Sequence, residues 1–286
     1  MKNEQLKKLT LFDCDKLYPL DSIHNIDQNL INSFGPWDYQ LKFAEGVWAK
    51  PDSKNSNRPE EHHLPYLAKH LFGGNLKGMT VLDLGCNIGH FSFKASELGA
   101  KEVVGVEFRK LNLVKASFAR SVKNAGNVKF YQGMIEDVSK KELGMFDIVI
   151  LAGIFFHLTQ PVQVLNNIYN MTRNGVLIDT NIVPSISKRP IIEVHNDTPE
   201  KNNWGVLKIN FQPSVPALEK MVRAVGFQEM LELRVKNHPY LTHGLWLNNR
   251  KPDKLRRQVF YAFKNSVTDP SVKKTFCSPW YGTLKG

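Results

Sequence analysis

The densest chemistry in the chain lies in Val81-Leu82-Asp83-Leu84-Gly85-Cys86-Asn87-Ile88-Gly89-His90-Phe91. A short apolar run carries one carboxylate near its end, and Gly85 and Gly89 follow. Glycine lets backbone come close to a ligand because no Cβ intervenes. In an open α/β sheet, ligands bind beyond the carboxyl ends of the strands, so the loop after the first strand meets the ligand. A dinucleotide site needs G-x-G-x-x-G, which seats pyrophosphate on a helix N-terminus. The spacing here is G-x-x-x-G. Asp83 would repel a pyrophosphate but suits a ligand with an ammonium and a sulfonium. The loop therefore favours S-adenosylmethionine (SAM, with S-adenosylhomocysteine as product) over NAD. Asp83, Gly85, Cys86, Asn87 and Gly89 are the expected contacts.

Glu107 ends a second apolar run and can accept both ribose hydroxyls. Such charged hydrogen bonds are each worth roughly 1.5–3 kcal/mol. NAD sites place an acid there too, so Glu107 alone does not discriminate. Met134 and Ile135 are placed to sandwich a flat adenine, with Glu136 or Asp137 near its amino group. Gly153 completes the expected cofactor set.

His157 follows a fourth run, and its ordinary pKa of ~6.5 suits proton removal near neutral pH. A structural histidine bonded to loop backbone is the plainer role. For His90, in the cofactor loop, packing is the plainer role. Phe155, Phe156, Trp37, Trp48 and Trp204 fit either an acceptor pocket that shields the sulfonium or ordinary core. Glu193 and His195 are expected acceptor contacts from a loop. His157 and His195 have no metal-ligand spacing, so no metal is expected.

These residues need a frame. Runs at 80–84, 102–107, 128–131, 146–151 and 176–179 are rich in Val, Ile and Leu without alternation, which predicts strands buried on both faces. Helical spacing lies between them at 91–98, 111–122 and 164–171. The expected fold is α/β, a Rossmann-like doubly wound parallel sheet. Strands near 229–235 and 241–247 are expected to close it as a carboxyl-terminal antiparallel hairpin. Residues 1–60 read as an irregular amino-terminal cap on the substrate side, 61–250 as the SAM-binding domain and 251–286 as a basic carboxyl-terminal extension.

Of 286 residues, 42% are hydrophobic and 23% charged, which argues against disorder. The net charge of +11 favours anionic partners such as RNA, although the excess is spread along the chain and also fits a lysine-rich surface. No apolar run suits a secretory signal or a membrane span. Three cysteines far apart form no pair, so the expected location is the reducing cytoplasm. Size alone suggests a monomer or homodimer.

DLGCNIG together with the strand-terminal Glu107 resembles the class I SAM-dependent methyltransferases, over roughly residues 64–249. Ala152-Gly153-Ile154-Phe155-Phe156-His157-Leu158-Thr159-Gln160-Pro161, paired with Phe211-Gln212-Pro213-Ser214, is similar to the tRNA wobble-uridine (carboxymethyl)transferase-like family. That family includes the bacterial enzyme that moves a carboxymethyl group from carboxy-SAM to tRNA, and many small-molecule methyltransferases. The resemblance implies a tyrosine directly before the histidine, which helps hold the extra carboxylate; this chain has Phe156 there. Plain SAM and a small-molecule O-, N- or S-acceptor are therefore the leading expectation. An RNA methyltransferase and a non-catalytic SAM-binding protein are the alternatives.

Overall fold

The computed structural model describes residues 9–50, 60–183, 189–196, 208–233 and 256–277. The chain divides into two compact units, Met1–Asp137 and Val138–Gly286.

The amino-terminal unit opens with β1 (Thr10–Leu11), α1 (Cys14–Leu17), α2 (Gln28–Ser33) and a hairpin of β2 (Leu41–Ala44) and β3 (Val47–Ala49). Then come α3 (Glu60–Leu71), β4 (Thr80–Leu84), α4 (His90–Glu97), β5 (Glu102–Glu107), α5 (Lys110–Val122) and β6 (Val128–Gln132). Strands β4, β5 and β6 are parallel, with Asp83 beside Gly105 and Gly105 beside Phe130. Their Val, Leu and Phe side chains are buried, as unalternating runs require. On α5, Leu113, Ala116, Phe118 and Ala119 are buried, which gives the helix its inward stripe. Residues 9–50 are more ordered than expected. β1 adds an antiparallel edge to β6, pairing Thr10 with Gln132. Asp13 and Asp27 cap α1 and α2, each accepting a backbone N–H three residues on, a contribution of about 1 kcal/mol apiece. Two-residue strands and one-turn helices carry no periodic signal, so the sequence did not announce them.

The carboxyl-terminal unit holds α6 (Lys140–Leu143), β7 (Phe146–Ala152), α7 (Pro161–Met171), β8 (Thr172–Ile182), β9 (Ile192–Asn196) and β10 (Ile209–Pro213). It ends with α8 (Val215–Ala224), β11 (Glu229–Leu233), β12 (Arg256–Phe263), α9 (Pro270–Thr275) and β13 (Phe276–Cys277). β7 and β8 are parallel, with Ala152 beside Asp179. β9 and β10 form a separate antiparallel hairpin.

The expected partner of β11 is corrected here. β11 pairs with β12, and β12 also pairs antiparallel with β8, so it lies between them. Residues 241–247 lie outside the described residues. The stretch taken for a basic appendage therefore supplies an interior strand. Val259, Phe260, Tyr261 and Ala262 are almost wholly buried. Arginines and lysines flanking this apolar run hid its character in the sequence.

Candidate functional site

The loop after β4 is built from unusual backbone. Gly85, Asn87 and Gly89 have φ of 70°, 53° and 85°. Glycine adopts this left-handed region freely, and asparagine is among the few other residues that tolerate it. The Gly85 and Cys86 N–H groups both donate to the Val106 carbonyl, at 2.8 and 3.0 Å, which ties the loop to β5. Gly89 answers a second demand as well. A Cβ there would stand 2.8 Å from the Phe93 ring and 3.0 Å from Phe130.

Two acids lie under this loop. Glu107, buried at the end of β5, accepts the Asn87 N–H at 3.1 Å on one oxygen and the Arg109 N–H at 2.9 Å on the other. Burial pushes its pKa up, against the pull of those donors. Lone pairs remain on both oxygens, enough for hydroxyl donors of a ligand. Asp83, buried within β4, accepts the Ser92 hydroxyl at 2.6 Å. Burial raises its pKa to about 7; Glu107 adds to the rise and the Ser92 bonds oppose it. Asn87 Oδ1 is buried with no hydrogen-bond partner. Buried acceptors with few donors form a cradle for a cation and hydroxyl groups. It would repel pyrophosphate, so the residues fit SAM and not a dinucleotide.

The other expected cofactor residues divide. Met134 is half-buried just after β6, and Ile135–Asp137 form a 3-10 turn with Ile135 buried and Glu136 half-buried. Cys86 turns its side chain away into the sheet. A Cβ on Gly105 would lie 2.8 Å from its sulfur. Only the Cys86 backbone remains for a ligand, and burial pushes its thiol pKa well up.

Residues 36–40 lie on this loop, an arrangement sequence reasoning missed. Asn87 donates from its amide to Asp38 at 3.0 Å. Tyr39 stacks on His90 with ring centres 5.1 Å apart. Lys115 donates to the Pro36 carbonyl and lies 5.7 Å from the centre of the Trp37 ring. Trp37 is buried and donates to the Ile31 carbonyl at 2.8 Å, so it anchors this segment. Burial lowers the His90 pKa to about 4, so its ring is neutral at physiological pH. Trp48, on β3, is half-buried, and its backbone N–H and carbonyl are both held by the Gln28 side chain.

In the carboxyl-terminal unit, Gly153 (φ 69°) turns the chain after β7 and donates to the Asp179 carbonyl at 2.8 Å. Phe155–His157 then form a 3-10 turn packed against β8 and β10. Phe155 is core. Phe156 and His157 are half-buried, with ring centres 4.2 Å apart. Glu193 and His195 sit one above the other on β9, 3.2 Å apart, with half and a third of their side chains exposed. Their cross-strand partners on β10 are Gln212 and Asn210, which are buried and joined at 2.7 Å. Gln212 Oε1 is buried without a partner. Directly opposed residues share a face, so these four make one polar strip. The alternation Asn210-Phe211-Gln212 was the available signal for it. Trp204 lies outside the described residues. Among the described residues no three metal-ligating side chains converge, and no helix is long and apolar enough to cross a membrane.

A family model described as "Methyltransferase domain" matches residues 75–230. Curated relatives include the tRNA U34 carboxymethyltransferase of Helicobacter pylori (strain G27), 28% identical over 214 residues, covering 73% of this chain and 77% of that protein. The enzyme of the same name from Campylobacter fetus subsp. fetus (strain 82-40) is 27% identical over 165 residues, 57% of this chain and 56% of that protein. Among solved structures, the N-terminal domain of EvdMO1 with SAH bound aligns at TM-score 0.64 and 19% identity, covering 83% of this chain and 95% of that one. A putative SAM-dependent methyltransferase from Listeria monocytogenes aligns at TM-score 0.51 and 17% identity, covering 72% and 98%. These likenesses establish the Rossmann-like class I fold.

Proposed function

The chain belongs to the methyltransferase-domain family and is a SAM-dependent methyltransferase, and on that premise we propose that it methylates a base of RNA. The observation that carries the SAM-binding part is the buried acceptor cradle of Glu107, Asp83 and Asn87. The RNA part is supported by the tRNA that the curated relatives' names specify and by the net charge of +11. A small-molecule acceptor, the leading expectation from sequence, has no comparable support. The cytoplasm, where tRNA is modified, is the corresponding location.

When bound, SAM supplies an electrophilic methyl group. Glu107 and Asn87 would hold its hydroxyl and ammonium groups, with Met134 and Ile135 beside the adenine. His157, half-buried on its 3-10 turn, is the proposed base for the acceptor's proton. A base of this kind contributes about 10²–10⁴ in rate. Phe156 offers no hydroxyl to an additional carboxylate, so plain methyl transfer is proposed in place of carboxymethyl transfer.

The test is incubation with methyl-labelled SAM and bulk tRNA, followed by digestion to nucleosides. Label in a single modified nucleoside supports the proposal. Modification from carboxy-SAM alone would replace methyl by carboxymethyl transfer. Turnover of SAM on small acceptors with none on RNA would contradict the RNA reading.

A further inference from the structure

We propose that the cleft between the β2–β3 hairpin and α4 binds a nucleotide of single-stranded RNA, an inference that rests on the RNA reading above. The cleft has a volume of about 430 Å³ and lies wholly within the amino-terminal unit. That is within the size range of small-ligand sites. One wall is the hairpin, where Lys42 and Trp48 are cross-strand partners on one face, the ammonium 5.5 Å from the ring centre. The other wall is α4, with Phe93, Lys94 and Glu97, closed by Lys123 from the end of α5.

The charges are unbalanced toward cation. Glu97 alone serves both Lys94, at 2.8 Å, and Lys123, at 3.0 Å. Lys42 pairs with Glu45, whose side chain is 94% exposed. So exposed a pair is weak and exchanges readily for another anion. His90, also in the lining, is neutral. The cleft thus offers ammonium groups beside an aromatic plane. That combination recognises a phosphate with a flat ring attached, which is how single-stranded nucleic acid is held without sequence readout. Its position fits the reading. His90 both lines the cleft and begins α4, directly after Gly89 of the cofactor loop, so RNA held here passes beside that loop.

Anisotropy of labelled bulk tRNA and of a short unstructured oligoribonucleotide would be titrated with the full chain and with Trp48→Leu, Lys42→Gln and Lys94→Gln. Gln28 holds the hairpin through the Trp48 backbone, and Trp48→Leu keeps those bonds, so the variant should fold; SAM binding and thermal melting check this. Loss of one stacking platform should weaken RNA binding about tenfold. Each lysine variant should lower the salt slope by roughly 0.7. Wild-type binding of both RNAs with no change in any folded variant overturns the cleft and leaves the RNA reading standing. Absence of RNA binding by the wild-type chain at low salt overturns both.

Discussion

Asp83 and Glu107 sit on β4 and β5 with almost no contact with solvent, each fixed by donors from the adjoining loop or helix. Glu193 and His195 lie on a hairpin strand and pair with each other, with a third to a half of each side chain exposed. These two acids of the amino-terminal unit are held rigid and dry, where hydrogen bonds and charges count most. Glu193 and His195 of the carboxyl-terminal unit are left wet and adjustable. A cofactor of fixed chemistry tolerates the first arrangement, and an acceptor specific to one protein is better served by the second.

The sharpest division between the units should come from His157→Ala. Turnover should fall by about 10²–10⁴, while the SAM dissociation constant stays within about twofold. Equal loss of both would erase the separation of roles between the units. Next in size is Gly89→Ala. Its Cβ would press on Phe93 and Phe130 at a φ of 85°, so unfolding free energy should drop by about 3 kcal/mol in a denaturant titration.

A pH-dependent effect of comparable size tests the buried acid directly. The Asp83 pKa of about 7 lies above its ordinary 3.8. Between those values the folded chain keeps a proton that the unfolded chain has released, so stability falls as pH rises through the window and levels off above it. Asp83→Asn should remove that slope. Its stability gain over the parent should be near zero at pH 4 and on the order of 4 kcal/mol at pH 8, read by thermal melting. A pH-independent difference would mean the carboxyl is not held in the dry site. The smallest effect is expected at the exposed pair. Glu193→Gln and His195→Asn should each change stability by less than about 0.5 kcal/mol and move only the acceptor's KM; a shift in SAM affinity would break the contrast.

Much of this was legible in the sequence, unevenly. Strands β4 to β8 followed from unalternating apolar runs, and the Gly85–Gly89 turn from its glycine spacing. Those signals are local. The inward turn of Cys86 depends on the missing Cβ of Gly105 in the next strand, a pairing no short window contains. Asp38 meets Asn87 across 49 residues of sequence, and neither residue type announces the contact. Ser92 as the partner of Asp83 was open to inference, since a hydroxyl near the start of a helix beside a buried acid is a natural donor. Strand β12 was missed because charge at its ends outweighed the apolar run at its centre.

The cofactor cradle is tested most directly by calorimetric titration of SAM, S-adenosylhomocysteine and NAD into the parent chain and Glu107→Ala, each freed of ligand. The parent should bind SAM and S-adenosylhomocysteine but not NAD, and Glu107→Ala should bind SAM about ten- to a hundredfold more weakly. An unchanged dissociation constant in Glu107→Ala, or binding of NAD alone, would contradict the assignment of the site.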